Sequence, residues 1–199
     1  MDATRLERLP VFALNMVLFP RGTLAVKVFE PRYVEMTKAC LRDGTPFGVC
    51  CIREGNEVGT PALTAGVGCT ARIADWDLPH PNMFQLGARG EQRFRVVASE
   101  VDALGLIVCE AELLSPEPAA GEPDALCRHV LATVISKVGA EKFPAPVELD
   151  DADWVSYRLA EVMPIALPLR QQLLETDSAQ ARLKLLHDLL VEAGIAPPS

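Results

Sequence analysis

Apolar and polar positions change their period near residue 116 of this chain. Ahead of it, apolar residues come in short runs or alternate with polar ones; beyond it they recur every three or four residues. Pro10 to Leu14 is a short run rich in strand formers. Leu24 to Phe29 alternates, with Lys27 turned the other way, as a half-buried strand requires. A helix follows directly. Glu30 stands at its cap and Pro31 at the first helical position, where a missing N–H costs nothing. Tyr33, Met36, Thr37, Cys40 and Leu41 then recur at helical spacing, and Asp43-Gly44 supplies the stop.

Phe47 to Ile52 reads as a buried strand, Thr60 to Gly66 as a loop, and Val67 to Trp76 as an alternating strand. Leu78-Pro79-His80-Pro81-Asn82 reads as a turn too stiff for regular structure. Met83 to Ala88, Gln92 to Ser99 and Leu104 to Leu114 complete the series. Short strands separated by turn signals argue for a barrel or sandwich, and the early helix fits a barrel whose opening it covers.

Ser115 to Glu122 is the expected linker. Past it, Leu126, Val130, Val134 and Val138 share a helical face, widened by Cys127, Leu131 and Ile135. Acids at 150–153 suit the start of a helix with Val155, Leu159, Val162 and Met163 on its apolar side. Leu169 to Glu175 follows a break bracketed by Pro164 and Pro168. A last helix, Ser178 to Ala193, carries the stripe Ala181, Leu185, Leu186, Leu189 and Leu190, capped by Asp177 or Ser178 and ended by Gly194. The expected class is therefore α+β: a β-barrel part, residues 1–116, and a helical part, residues 117–199.

Several spaced blocks carry a family likeness. The run P-V-F-x-L-N-x-V-L-F-P-x-G (residues 10–22) precedes F-E-P-R-Y (29–33) and a helix. Further blocks are Glu57-Val58-Gly59, 67–73, 88–94, and a stretch from Leu159-Ala160 through Leu190 that contains L-P-L-R-Q-Q-L-L-E-T-D-S. Together they resemble the Lon protease N-terminal domain family and, within it, small bacterial proteins built from that domain alone. The resemblance implies a PUA-like β-barrel followed by a helical bundle. It also implies non-catalytic recognition of protein or peptide substrates, with polypeptide segments or unfolded protein as partners and a Lon-type protease system nearby.

Composition narrows the classes. An apolar content of 49% in 199 residues supports a real core. The net charge of −8 opposes phosphate-backbone binding. The acid is uneven: residues 1–116 hold 12 Lys+Arg against 14 Asp+Glu, and residues 117–199 hold 7 against 13. No apolar run approaches the ~18 residues of a membrane helix, and the N-terminus does not read as a signal peptide. Six cysteines without a C-x-x-C pair read as small core hydrophobes, so a cytoplasmic, reducing location is expected.

Motifs for catalysis are missing from the chain. It has no G-x-x-x-x-G-K-[ST], no G-x-S-x-G and no H-E-x-x-H, so neither an enzyme, a cofactor nor a metal site is expected. His80, His129 and His187 read as surface or packing residues. Asp75-Trp76-Asp77 reads as a strand-ending turn with solvated acids, the alternative being an enzyme site around Asp75, Asp77 and Arg89. Arg89, Arg93 and Arg95 read as one solvated strand face, with Arg89 or Arg93 clasping Glu30 or Glu57. The alternative is an RNA- or nucleotide-binding face on which Phe94 or Trp76 stacks a base.

The candidate peptide-binding residues are Met16, Phe19, Arg21, Trp76 and Arg89. The loop from Asn15 to Gly22 holds more apolar residues than a turn requires, and a Met beside a Phe makes an adaptable surface. Open strand edges offer a second route, by strand addition.

Overall fold

The structure is a computed structural model that describes residues 6–115 and 121–195. Residues 1–5, and residues 116–120 of the expected linker, lie outside the described range. The chain divides into two compact units, Met1–Ser115 and Pro116–Ser199.

The first unit runs β1 (Leu6–Leu14), β2 (Thr23–Val28), α1 (Pro31–Asp43), β3 (Phe47–Glu54), β4 (Leu63–Thr64), β5 (Val67–His80), β6 (Met83–Val101) and β7 (Ile107–Leu113). Strands β1, β7, β6, β5 and β3 follow one another in that order, and parallel pairing of β1 with β3 closes the ring. The inward row meets on Phe94. Val11, Cys50, Cys109 and Ala111 pack there, and Gly48 and Gly68 leave room for the ring. Phe12, Leu14, Phe47 and Val49 alternate with that row and share a second core with Tyr33, Val34, Met36 and Cys40 of α1. The helix therefore packs against the outer face of the barrel wall, rather than across the opening as expected.

The start of α1 agrees with its sequence. Glu30 is the N-cap residue, Pro31 opens the helix, and Gly44 takes the left-handed conformation at φ 65°. Two other expectations are corrected. Met83 to Ala88 and Gln92 to Ser99 form one 19-residue strand, β6, kinked through a register shift near Gly90. A Cβ on Gly90 would strike the Phe19 carbonyl and Leu18. The stretch from Leu78 to His80 is strand, not turn; the turn is Pro81-Asn82, with Asn82 at φ 64°. Among the described residues β3 pairs with β5 only at Cys69–Ala71, so Pro79 lies where β5 has an open side and needs no N–H there. The expected loop at residues 60–66 also holds the short β4, paired to β3.

The second unit holds α2 (Ala125–Val138), a 3-10 turn (Ala140–Lys142), α3 (Ala152–Val162), α4 (Leu167–Glu175) and α5 (Ala179–Glu192). Asp124, Asp151 and Ser178 cap α2, α3 and α5 through their side chains. Helix α3 is buried from Trp154 through Ala160. Its expected face holds at Val155, Leu159 and Met163 and fails at Val162, which is 38% exposed. Val138 of α2 is likewise exposed. Helix α5 is rotated from its expected stripe: Ala179, Arg182, Leu183, Leu186 and Leu190 are buried, while Ala181 faces water. The cause is Arg182, a charged residue drawn inward by partners on α3 and in the preceding loop.

Candidate functional site

Beyond the barrel, the first half of β6 continues as the middle strand of a three-stranded layer. β2 pairs on one side, from Thr23 opposite Arg89 to Val28 opposite Phe84, and β5 pairs on the other. Register sorts the side chains into two faces. Leu24, Val28, Phe84, Leu86 and Ala88 turn toward α1 and are buried. The other face is solvated, in rows across the strands: Thr23 and Arg89; Ala25, Gly87 and Asp75; Lys27, Gln85 and Asp77.

The middle row makes a trough because Ala25 is small and Gly87 has no side chain. A Cβ on Gly87 would collide with the Asp75 carboxylate. The resulting cavity measures about 730 Å3 and is lined by all three strands, including Trp76. Asp75 and Asp77 lie along one side, with Lys27 and Arg89 on the strands facing them. Trp76 is paired in register with Leu86, so its side chain lies on the opposite face from Asp75 and Asp77, its ring centroid 5.9 Å from that of Phe84. At the rim of the layer it nonetheless keeps 53% of its surface exposed. The trough face thus carries charges of both signs that suit the polar side chains of a polypeptide, while the exposed indole offers an apolar surface at the edge of the opposite face.

The structure thus puts Arg89 and Trp76 on the same three-stranded layer but on opposite faces, Arg89 over the trough and Trp76 beside Phe84. Phe19 is fully buried, which corrects the expectation that it offers a contact. Met16 packs on the α1 core, half-buried. Arg21 sits at φ 63°, its N–H donating to the Gly90 carbonyl at 2.8 Å, while Gly90 N–H donates to Gly22 at 2.9 Å. Those bonds hold the loop from Asn15 to Gly22 against the kink of β6, so its apolar residues are anchors. Asp75-Trp76-Asp77, expected as a strand-ending turn, is the middle of β5.

The expected arginine clasp exists, with a different arginine. Arg32, only 4% exposed, donates to the carbonyls of Gly105 (3.0 Å) and Glu57 (3.1 Å) and pairs with the Glu30 carboxylate at 3.2 Å. The Glu57 carboxylate accepts the Asn15 N–H at 2.6 Å. Arg95 pairs with Glu112 and Arg72 with Glu91, while Arg93 is buried. The arginines of β6 therefore do not share one solvated face, and Phe94, fully buried, cannot stack a base. Arg32 was visible within F-E-P-R-Y. Lys27, Gln85 and Gly87 carried no signal, because only strand pairing puts them beside Asp75.

Among the described residues, no group of three or more His, Cys, Asp or Glu could hold a metal ion, and no helix is long and apolar enough to cross a membrane. All six cysteines are buried and none is in a disulfide. Burial pushes the Cys50 and Cys127 thiols far up and Cys109 up to about 11, so none is primed as a nucleophile.

Residues 8–192 match the family described as the ATP-dependent protease La (LON) substrate-binding domain. The crystal structure of the Lon N-terminal domain protein from Xanthomonas campestris is similar at 35% identity and a TM-score of 0.74, over 92% of this chain and 98% of that one. The N-terminal domain of the Mycobacterium avium complex Lon protease has the same fold, with a TM-score of 0.69 at 17% identity, over 92% of this chain and 97% of that one. No curated protein matches the chain.

Proposed function

This chain belongs to the Lon substrate-binding domain family, and we propose that it is a non-catalytic module that holds exposed segments of other polypeptides in the trough between β2, β6 and β5. The carrying observation is the trough itself, an open cavity over Gly87 and Ala25 whose sides bear Asp75 and Asp77 against Lys27 and Arg89. Such a surface meets mixed segments of unfolded chains, which offer apolar and charged side chains within a few residues. The clients are unfolded or extended polypeptides, passed to a Lon-type protease system, in the cytoplasm. Six buried cysteines outside any disulfide support the reducing compartment.

In this reading Arg89 is the contact residue over the trough, Trp76 a second contact at the edge of the opposite face, and Arg21 beside the kink of β6 a peripheral one. The enzyme alternative gains a shared location for Asp75, Asp77 and Arg89 but no shelter: both carboxylates are exposed, and nothing shields a reacting group from water. The acidic net charge stands against nucleic acid.

The test is binding of a reduced, alkylated reporter polypeptide, followed by fluorescence anisotropy. Arg89→Ala weakens binding by about tenfold and leaves thermal unfolding unchanged, as loss of one exposed arginine contact should. Undiminished binding by Trp76→Ala and Arg89→Ala alike would remove the trough from the proposal.

A further inference from the structure

Strand β2 has two sides and uses one. Its six residues pair in unbroken antiparallel register with β6, and among the described residues no strand pairs with its other side. Beside that open edge lies a second groove, of about 290 Å3, walled by Phe12, Leu14 and Tyr33 and rimmed by Phe29, Glu57 and Val58. An unpaired edge is a template for another strand, and sheets usually guard it with a proline, a bulge, a lysine or a very short strand. β2 has no proline and no register shift, and its one charge, Lys27, falls by register on the trough face. Two apolar side chains at the groove are open to water, Phe29 at 54% and Val58 at 57%.

We propose that the open edge of β2 takes up an extended segment of another polypeptide as an added strand. An apolar side chain of that segment packs against Phe29 and Val58, and a basic one reaches the end of the groove formed by Glu30 and Glu57. The backbone groups on the open side call for a partner with the same alternation of donors and acceptors, which an extended peptide supplies and a helix or a nucleic acid does not. Charge selects within that class. Two carboxylates, Glu30 and Glu57, meet there against one guanidinium, Arg32, leaving negative charge for a Lys or Arg to complement. Lys27 also lines the groove, but by register its side chain lies in the row of Gln85 and Asp77, on the trough face. The inference rests on the polypeptide-recognition reading and adds to it a binding mode and a class of segment.

The probe is the peptide Ac-Lys-Val-Thr-Val-Thr-NH2, with two versions N-methylated at alternate positions. One N-methylated version binds about tenfold more weakly than the parent and the other nearly as well, because only one set of amides faces β2. The exposed-site variant Val58→Asp weakens the parent peptide similarly, with unchanged thermal unfolding. Equal binding by all three peptides overturns the added strand while leaving polypeptide recognition standing. No peptide binding, with the unfolded reporter still held in the trough, does the same; loss of both overturns both. A dimer by sedimentation that Val58→Asp dissociates assigns the edge to a second copy of the chain, against the proposal.

Discussion

The guanidinium of Arg182 on α5 lies 4.2 Å from the centroid of the Tyr157 ring on α3. That stacking is one part of a buried clamp. Its Nε donates to Ser156 Oγ at 3.0 Å, one terminal nitrogen donates to the carbonyls of Thr176 (2.7 Å) and Asp177 (2.8 Å), and the other pairs with the Asp153 carboxylate. A single side chain thus ties α5 to α3 and to the turn that ends α4.

Replacing Arg182 by Met leaves those carbonyls and the Asp153 carboxylate without their donor. The expected cost is about 3 kcal/mol, since breaking a buried pair strands the remaining charge. Arg182→Lys recovers only part of it, because an ammonium cannot span donors set in a planar fork. Urea unfolding followed by helical circular dichroism measures both variants; a loss below ~1 kcal/mol for Arg182→Met would contradict the clamp.

The helical unit carries its own pH dependence. Burial pushes the Glu161 carboxyl up to about 7, against the opposing pull of Arg158 and Arg170. A carboxyl raised in the folded state favours folding while it is protonated. Its contribution is full below the ordinary range near 4.5 and fades as the pH rises through about 7. Between those limits the wild type loses on the order of 2 kcal/mol relative to Glu161→Gln, which cannot ionise. Unfolding free energies of both proteins at pH 5 and pH 7.5 supply the comparison, and parallel profiles would refute the assignment.

Inside the barrel, Gly68 has no room for a methyl group. A Cβ there would lie 2.5 Å from the Val49 carbonyl, 2.7 Å from Cys50 Sγ and 2.8 Å from the Phe94 ring. Gly68→Ala destabilises the chain by about 3 kcal/mol, the overpacking cost of a filled interior. Gly66, two residues earlier, has nothing within 4 Å of that position, so Gly66→Ala stays within about 0.5 kcal/mol. Thermal unfolding of the two variants side by side is decisive.

Arg32→Lys tests the clasp at the start of α1. Lysine keeps the charge and loses the fork that reaches Gly105, Glu57 and Glu30 together. About 2 kcal/mol of stability is lost as buried carbonyls go unsatisfied. Amide hydrogen exchange should accelerate around Glu57 and Gly105 first; a change confined to α1 would argue against the clasp.

Much of the fold was legible from local rules. Glu30-Pro31 and Asp43-Gly44 bracket α1 through capping and backbone preference, which depend on near neighbours alone. Strand positions at residues 24–28, 47–52 and 67–76 followed from alternation and residue type. The same rules failed where distant partners changed the meaning of a residue. Pro79 sits in a strand because its side of β5 is open, and the stripe on α5 was misread because Arg182 counts as polar until four acceptors surround it.

The candidate site divides in the same way. Trp76 and Arg89 could be named from sequence as an aromatic and a cation, but only β-pairing put Arg89 on the trough face with Lys27 and Gln85 and Trp76 on the other. Phe19 looked available because a loop residue is ordinarily near water, yet the kink at Gly90 covers it completely.

By itself the sequence determined the α+β class, the succession of strands and helices, the family likeness and the lack of recognised catalytic motifs. Each is carried by local spacing or residue identity. Tertiary structure alone decided the closure of the barrel, the open edge of β2, the trough and the inward turn of Arg32 and Arg182. Those depend on which strands pair and in what register, and on the cost of leaving a buried polar group unsatisfied. Both are set by residues far apart in the chain, beyond the reach of any local pattern.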